Sequence, residues 1–437
     1  MPRRPTHPPL AVFMNGRRVG TLARAANGAI DFRYAEDWLA WENAIPVSLS
    51  LPLREDRYVG APVMAVFDNL LPDAEPIRRR VAERVGARGI DAYSLLAALG
   101  HDCVGALQFL TEDMEPGPVG AVEGRPVSDK EIGDLLRHLG RAPLGVGEDR
   151  DFRISVAGAQ EKTALLHHEG RWLKPIGTTA TTHILKPAIG KLSNGIDLSD
   201  SVENEFFCLK LMAAFGLPFA SAEIADFDGV RTLVVERFDR VWRGDGRLIR
   251  LPQEDCCQAL SVPPTLKYQS DGGPGVRDLI ALFKGSDEPE RDVGLILRAQ
   301  AAFWLIGATD GHAKNFSLFL RPGGRFRMTP LYDVMSAEPS VAAGQITRRQ
   351  AKLAMSLGKN RHYRLDEIMP RHLEQTAALA DVDPGIVRAI YREFLATAEE
   401  AASRLAEETR GSVPDAVRLP ILEAIRGRLR LIGAASG

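Results

Sequence analysis

The chain is 437 residues long and 45% hydrophobic, more than a single core usually takes, so two or more packed units are expected. Its 55 Lys and Arg against 57 Asp and Glu leave a net charge of -2, which excludes a global positive field drawing it to nucleic acid or an anionic membrane. Cys103, Cys208, Cys256 and Cys257 show no C-x-x-C or zinc-like spacing, the N-terminus lacks the apolar core of a signal peptide, and the longest apolar stretch (301–308) is too short for a bilayer; reduced thiols, no membrane and a cytoplasmic location are expected.

In chain order, residues 10–14 and 18–22, joined by Asn15-Gly16, predict a β-hairpin. Helical patterns over 72–85 and 91–99 complete a mixed α/β N-terminal unit without obvious chemistry. From Glu112 to Lys130, Pro, Gly, Asp and Glu accumulate without apolar periodicity, which is linker composition, and 145–151 is a second loop-like stretch. Strands are predicted at 152–156, 161–166, 171–175 and 182–186. Asp200 or Ser201 can cap a helix carrying Phe206, Leu209, Met212 and Ala213 on one face, with Gly216-Leu217-Pro218 as its stop. An Asp228-Gly229 turn delivers a strand through 232–235, and beyond about Asp278 the pattern is mainly helical with one further hairpin near residue 320. The fold class is therefore α+β and two-lobed: an N-terminal subdomain over 1–125, a β-rich lobe over 126–240 and a mainly helical lobe over 241–437.

The strongest chemical signal is Asp310-Gly-His-Ala-Lys-Asn315, which follows an amphipathic helix (293–307) and precedes a hairpin, 316–320 and 326–329, turned by Pro322-Gly323-Gly324. Antiparallel pairing returns the chain to its start, so Asp333 is expected near Asn315. Phosphoryl transfer needs an acceptor-positioning Asp and oxygen ligands for Mg²⁺ on a triphosphate, and protein kinases put four residues between the base Asp and the metal-binding Asn. That spacing matches here. The flanking letters do not, since Ala308-Thr309 replaces His-Arg and Val334-Met335 replaces Phe-Gly, and Asp-Gly alone is also a common turn former.

Three further pieces precede it in the order a kinase uses them. Ser155-Val-Ala-Gly-Ala-Gln-Glu-Lys162 has the small residues that let backbone N–H groups approach phosphate, although it fits neither glycine-rich fingerprint. Lys186 stands on a short strand, as does the kinase lysine that reaches the α- and β-phosphates; Glu203 or Glu205 on the next helix can pair with it, and Glu205 is the choice. Glu236, Arg237 and Phe238 end an apolar strand where a hinge would bind adenine. Read from the residues alone, His312 braces its loop, Phe303-Trp304-Leu305 is core, and Arg78-Arg79-Arg80, Arg348-Arg349 and Arg426-Gly-Arg-Leu-Arg430 are solvated faces. A protein that keeps the fold without catalysis and works only as a co-repressor, through a partner and DNA, and a small-molecule or lipid kinase, stay open as alternatives.

Together these residues resemble the HipA family of bacterial type II toxin–antitoxin serine/threonine kinases. The resemblance rests on Phe67-Asp-Asn-Leu-Leu-Pro-Asp73, Leu99-Gly-His-Asp-Cys-Val-Gly-Ala106, the Ser155 loop, Lys186-Pro187, Asn204-Glu205, Val235-Glu-Arg-Phe-Asp-Arg240, Gln253-Glu-Asp255, the Asp310 loop and Leu331-Tyr-Asp333. It implies a kinase-like fold with Asp310 as base, Asn315 and Asp333 as Mg²⁺ ligands, and ATP contacts from Ala157, Gly158, Ala159, Gln160, Glu161, Lys162, Lys186, Glu236, Arg237, Phe238, His312, Ala313 and Lys314. It also implies that Ser155 is autophosphorylated and the kinase thereby inactivated. Its implied partners are a HipB-like helix-turn-helix antitoxin, operator DNA mainly through that antitoxin, and a protein substrate such as an aminoacyl-tRNA synthetase, whose modification halts translation and favours persistence.

Overall fold

The computed structural model describes residues 7–146, 154–158 and 160–436. They form two compact units, one of Met1–Pro187, Ala225–Thr265 and Leu318–Phe326, the other of Ala188–Ile224, Leu266–Ser317 and Arg327–Gly437. The expected limits at 125 and 240 both fall within ranges of the first unit.

In the first unit, Asn15 (φ 44) and Gly16 (φ 78) are both left-handed, the conformation a two-residue hairpin turn requires, and they join strands Leu10–Met14 and Arg17–Arg24. These two pair on into an antiparallel five-stranded sheet in the order Tyr58–Val59, Ile30–Tyr34, Arg17–Arg24, Leu10–Met14, Leu107–Leu110. One apolar core unites this sheet with helices Ala61–Asp68, Glu75–Val85 and Ala92–Leu99. Phe67 links the layers, with its ring 5.5 Å from both Phe32 and Phe109. The second helix starts three residues later than predicted: Pro76 fits its first turn, while Pro72 bridges to Gly158 instead.

A six-stranded sheet follows in the order Ala222–Phe227, Val230–Glu236, His183–Pro187, Thr163–His168, Arg171–Pro175, Gly124–Pro126. The predicted linker overran its true extent, because Gly124–Pro126 is already a strand and helix Asp129–Arg137 begins at the next cap. There the polar residues that suggested a loop are a capping box: Ser128 accepts from the Glu131 N–H, and Glu131 accepts from the Ser128 N–H. Of the strand predicted at 152–156, residues 152 and 153 lie outside the described ones, and Ile154 makes a single bridge to Asp102.

The second unit is built on helices Ser201–Ala214, Pro289–Ile306, Pro384–Glu408 and Asp415–Ser436. Asp200 stands at the cap position of the first, but its backbone (φ -92, ψ 18) is not extended and its side chain caps nothing; Ser201 Oγ accepts from the Ile189 N–H. A hairpin of Lys352–Leu357 and His362–Arg364 interrupts what was predicted as mainly helical chain. Two arginines predicted as solvated are buried. Arg78 bonds Asp68 and the Pro72 carbonyl, and Arg428 bonds Glu338 and the Leu305 carbonyl, while Arg79 and Arg426 on the same helices are exposed. Cys103, Cys208, Cys256 and Cys257 are buried and form no disulfide with one another, and no described helix is long and apolar enough to cross a membrane.

Candidate active site

The second unit carries the Asp310 loop. Helix Pro289–Ile306 stops at Gly307 (φ 72), a left-handed cap that frees the chain to turn away. Gly311 passes so close to the Phe303 ring that a Cβ would lie 2.6 Å from it, so the Asp310-Gly311 pair is set by packing as much as by turn preference. A short 3₁₀ turn, Ala313–Asn315, then leads into the hairpin.

Asn315 gathers the site. Its Nδ2 donates to the Asp310 carbonyl at 2.8 Å and to the Asp333 carbonyl at 3.4 Å. With both amide hydrogens aimed at carbonyls, the orientation of the amide is fixed and Oδ1 accepts no hydrogen bond among the described residues. Oδ1 thus keeps its lone pairs available, and an amide oxygen together with a carboxylate such as that of Asp333, whose backbone carbonyl the same amide reaches, is a donor set that suits Mg²⁺ held mostly by phosphate and water. No group of three His, Cys, Asp or Glu among the described residues could hold a metal without such help.

Asp333 reaches this place by a route that the sequence only half announces. The hairpin return is there, with the Thr329 N–H donating to the Ser317 carbonyl at 3.0 Å. Tyr332 then ties the returning chain down, its hydroxyl donating to the Lys314 carbonyl at 2.9 Å and sharing a 2.5 Å bond with Ser317 Oγ. Three residues beyond Asp333, Asn204 makes a two-bond clamp on the Ser336 backbone, donating to its carbonyl at 2.8 Å and accepting from its N–H at 2.9 Å. Between these anchors Asp333 adopts φ 57, a left-handed conformation that Asp tolerates better than most residues.

Asp310 has an exposed side chain, and its Oδ1 accepts from the Tyr268 hydroxyl at 2.6 Å. His312 is buried, with Nε2 3.8 Å from the same oxygen, and its ring meets the Tyr268 ring edge-on at 4.9 Å. Ala313 and Lys314 are buried beside it. Tyr268 escaped the sequence reading altogether, and Tyr332 and Asn204 entered it only within motifs, without a role: Tyr268 and Asn204 lie 42 and 132 residues from the partners that give them one.

The first unit carries the other predicted residues. Ser155 is wholly buried; its Oγ donates to the Leu70 carbonyl at 2.6 Å and its N–H to the Asp102 carbonyl at 2.9 Å. The Asp73 N–H donates to the Gly158 carbonyl at 3.1 Å, and Gly158 (φ 113) passes over Lys162, whose Nζ would lie 2.6 Å from a Cβ there. Lys162 Nζ donates to the Ala157 carbonyl at 3.0 Å, Gln160 to the Pro187 carbonyl at 3.1 Å, and Glu161 pairs with Arg80 at 3.0 Å. Ala159 lies outside the described residues. Lys186 is 6% exposed in His183–Pro187, opposite Leu233. Glu203 and Glu205 are buried in helix Ser201–Ala214 of the second unit.

Of the predicted hinge, Glu236 is exposed, while the Arg237 side chain is consumed internally. It donates to Asp239, Asp102, Thr181 Oγ1 and the Cys103 carbonyl, while its backbone N–H donates to the Thr182 carbonyl at 2.8 Å and its carbonyl accepts from the Arg240 N–H at 3.2 Å. The hub of that network is Asp102, which also accepts from Arg240, Arg250 and Thr181. Burial alone would push its carboxyl up, but Arg240, Arg250 and Arg237 together hold it far below the usual carboxylate range. Glu254 in Gln253–Asp255 is the opposite case. Fully buried, with one oxygen accepting from the Leu49 N–H at 2.8 Å and the other unbonded, it is pushed up to about 8 by burial.

Two family models match the chain in order, one described as the HipA N-terminal domain over residues 10–110 and one as the HipA-like C-terminal domain over 154–408. Y4mE of Sinorhizobium fredii, which carries a provisional kinase name, is 36% identical over 428 residues, 97% of this chain and 98% of its own. The serine/threonine-protein kinase toxin HipA of Shewanella oneidensis is 28% identical over 321 residues, 70% of this chain and 69% of its own. Among solved structures, the Shewanella oneidensis MR-1 complex of HipA, HipB and operator DNA superposes with a TM-score of 0.80 at 22% identity, covering 97% of this chain and 98% of that one. The fold is therefore the α+β, kinase-like HipA fold.

Proposed function

Because the chain belongs to the HipA family, we propose that it is a serine/threonine protein kinase toxin that transfers the γ-phosphate of ATP to a serine of a protein target. The observation that supports this reading is the Asn315 amide, whose Nδ2 donates to the backbone carbonyls of both Asp310 and Asp333 and so ties the three residues to one turn. In this reading the acceptor oxygen attacks the γ-phosphorus, the bond to the β–γ bridging oxygen breaks, ADP leaves, and the hydroxyl proton passes to the Asp310 carboxylate. Asn315 Oδ1 and the Asp333 carboxylate would hold Mg²⁺, which when bound neutralises charge on the phosphates. Lys186, the backbone of Ala157 to Lys162, that of Glu236 to Phe238, and His312 to Lys314 would hold the nucleotide.

Ser155 is the proposed off-switch. Its hydroxyl donates to a buried carbonyl, so it must leave that place to be phosphorylated. A phosphoserine carries about -1.5 to -2 charges and presents mainly acceptor oxygens at neutral pH, so it does not suit the buried place where a hydroxyl donated to the Leu70 carbonyl. The loop would then stay displaced from the position in which Gly158 pairs with Asp73. The proposed partners are a HipB-like antitoxin, operator DNA through that antitoxin, and an aminoacyl-tRNA synthetase as cytoplasmic substrate; the complex of the Shewanella oneidensis relative supports the first two.

The test is mass spectrometry of cell extract incubated with the protein and Mg-ATP, comparing wild type with Asp333→Asn. New phosphoserines that depend on Asp333 are expected. If none forms while an antitoxin still binds tightly, the kinase reading gives way to a co-repressor.

A further inference from the structure

We infer that Tyr268 is a positioning residue for the acceptor-facing carboxylate, an inference that rests on the kinase reading of Asp310. Its hydroxyl donates to Asp310 Oδ1 at 2.6 Å, and His312 approaches the same oxygen at 3.8 Å. Among the described residues nothing donates to Oδ2. An otherwise exposed carboxylate therefore has one oxygen tied down and the other left open. That is the division an acceptor-positioning group needs, because a carboxylate free to rotate about its Cβ–Cγ bond presents neither oxygen at a constant angle.

Tyr268 is itself held in place. It follows the 3₁₀ turn Pro264–Leu266 and precedes Gln269–Asp271, and its carbonyl accepts from the N–H groups of Asp271 at 3.1 Å and Gly273 at 3.0 Å. Only glycine fits at 273, where a Cβ would lie 1.8 Å from the Leu266 carbonyl oxygen. The next residue, Gln269, is bolted to the Lys352–Leu357 strand, its Oε1 accepting from both the N–H and the hydroxyl of Ser356 at 2.7 and 2.9 Å. The edge-on contact with the buried His312 ring completes the support. A phenol fixed at its backbone, at its neighbour and at its ring face can impose a direction on Asp310, which a mobile surface tyrosine cannot.

Two measurements on the full chain separate this inference from the reading beneath it. With tyrosine ¹³C-labelled at Cζ, the chain gives seven signals, and the one absent in Tyr268→Phe reports the phenol. In Asp310→Asn that signal should move while the other six stay; if it does not move, the tie does not exist in solution and the inference fails. Phosphate transfer from γ-labelled ATP to water and to protein is then measured for Tyr268→Phe. A kcat lower by roughly 10- to 100-fold, with KM for ATP and the thermal midpoint unchanged, is expected of a lost positioning contact. A kcat equal to wild type overturns the role even if the signal moves. Absence of transfer by wild type, with the signal moving, overturns the kinase reading and the positioning role together and leaves only the contact.

Discussion

Asp102 and Asp310 are both aspartates that accept hydrogen bonds from residues far away in the sequence, yet they sit in opposite circumstances. Asp102 is 1% exposed, and both its oxygens are spent on Arg237, Arg240, Arg250 and Thr181. Asp310 is exposed, tied through one oxygen only, and held in place mainly through its own backbone carbonyl, which Asn315 reads. Spent valences in a buried place make a scaffold; a spare valence on an exposed group, oriented from behind, is what the proposed role of Asp310 as a reagent requires. The two should therefore fail differently when cut.

The largest effect is expected at Asp310. Asp310→Asn should lower phosphate transfer by about 10² to 10⁴ while changing stability by less than about 0.5 kcal/mol, read by a labelled-ATP assay beside a urea titration. Asp102→Asn should reverse that pattern. Removing the charge leaves three buried guanidiniums short of a partner, at a cost of about 3–5 kcal/mol in stability. If Asp102→Asn unfolded at the wild-type midpoint, the contrast between scaffold and reagent would collapse.

Glu254 sharpens the comparison, because it is buried like Asp102 but lacks cations. Its carboxyl is raised to about 8, so the folded state holds a proton that the unfolded state releases above the usual range near 4.5. The associated stability is fully present at low pH and is lost as pH rises from about 4.5 through 8, with a slope on the order of 1 kcal/mol per pH unit at most. Glu254→Gln, which keeps an acceptor for the Leu49 N–H, should flatten that part of the stability profile; an unchanged slope would show that Glu254 does not titrate there. The smallest effect belongs to Tyr332→Phe. Loss of its hydrogen bonds to Lys314 and Ser317 should cost about 1 kcal/mol and slow transfer by loosening Asp333, checked by thermal melting and by initial rates.

Elements whose cause is local were legible in the sequence. The Asn15-Gly16 hairpin, the end of the helix at Gly307 and the hairpin that returns the chain so that Asp333 meets Asn315 depend on turns set by residues a few positions apart, whose backbone preferences travel with the sequence. Even locally, reading failed where one composition has two uses: Ser128, at the end of a linker-like polar run, is a helix cap, and Arg428, read as solvated, is buried against Glu338. The hairpin at 352–364 was missed because its strands pair with a register irregularity and carry no clean alternation.

By itself, then, the sequence determined which candidate groups exist and in what order: a small-residue loop, a strand lysine, Asp310 and Asn315 at the kinase spacing, and Asp333 beyond a hairpin. Only the tertiary structure decided how those of the second unit are held. Tyr268 on Asp310, Tyr332 on Lys314 and Asn204 on Ser336 are hydrogen bonds between residues 42, 18 and 132 positions apart, and no local propensity encodes them. A hydrogen bond needs its partners within about 3 Å and well aligned, a condition that spacing along the chain cannot express and that packing of the whole unit imposes.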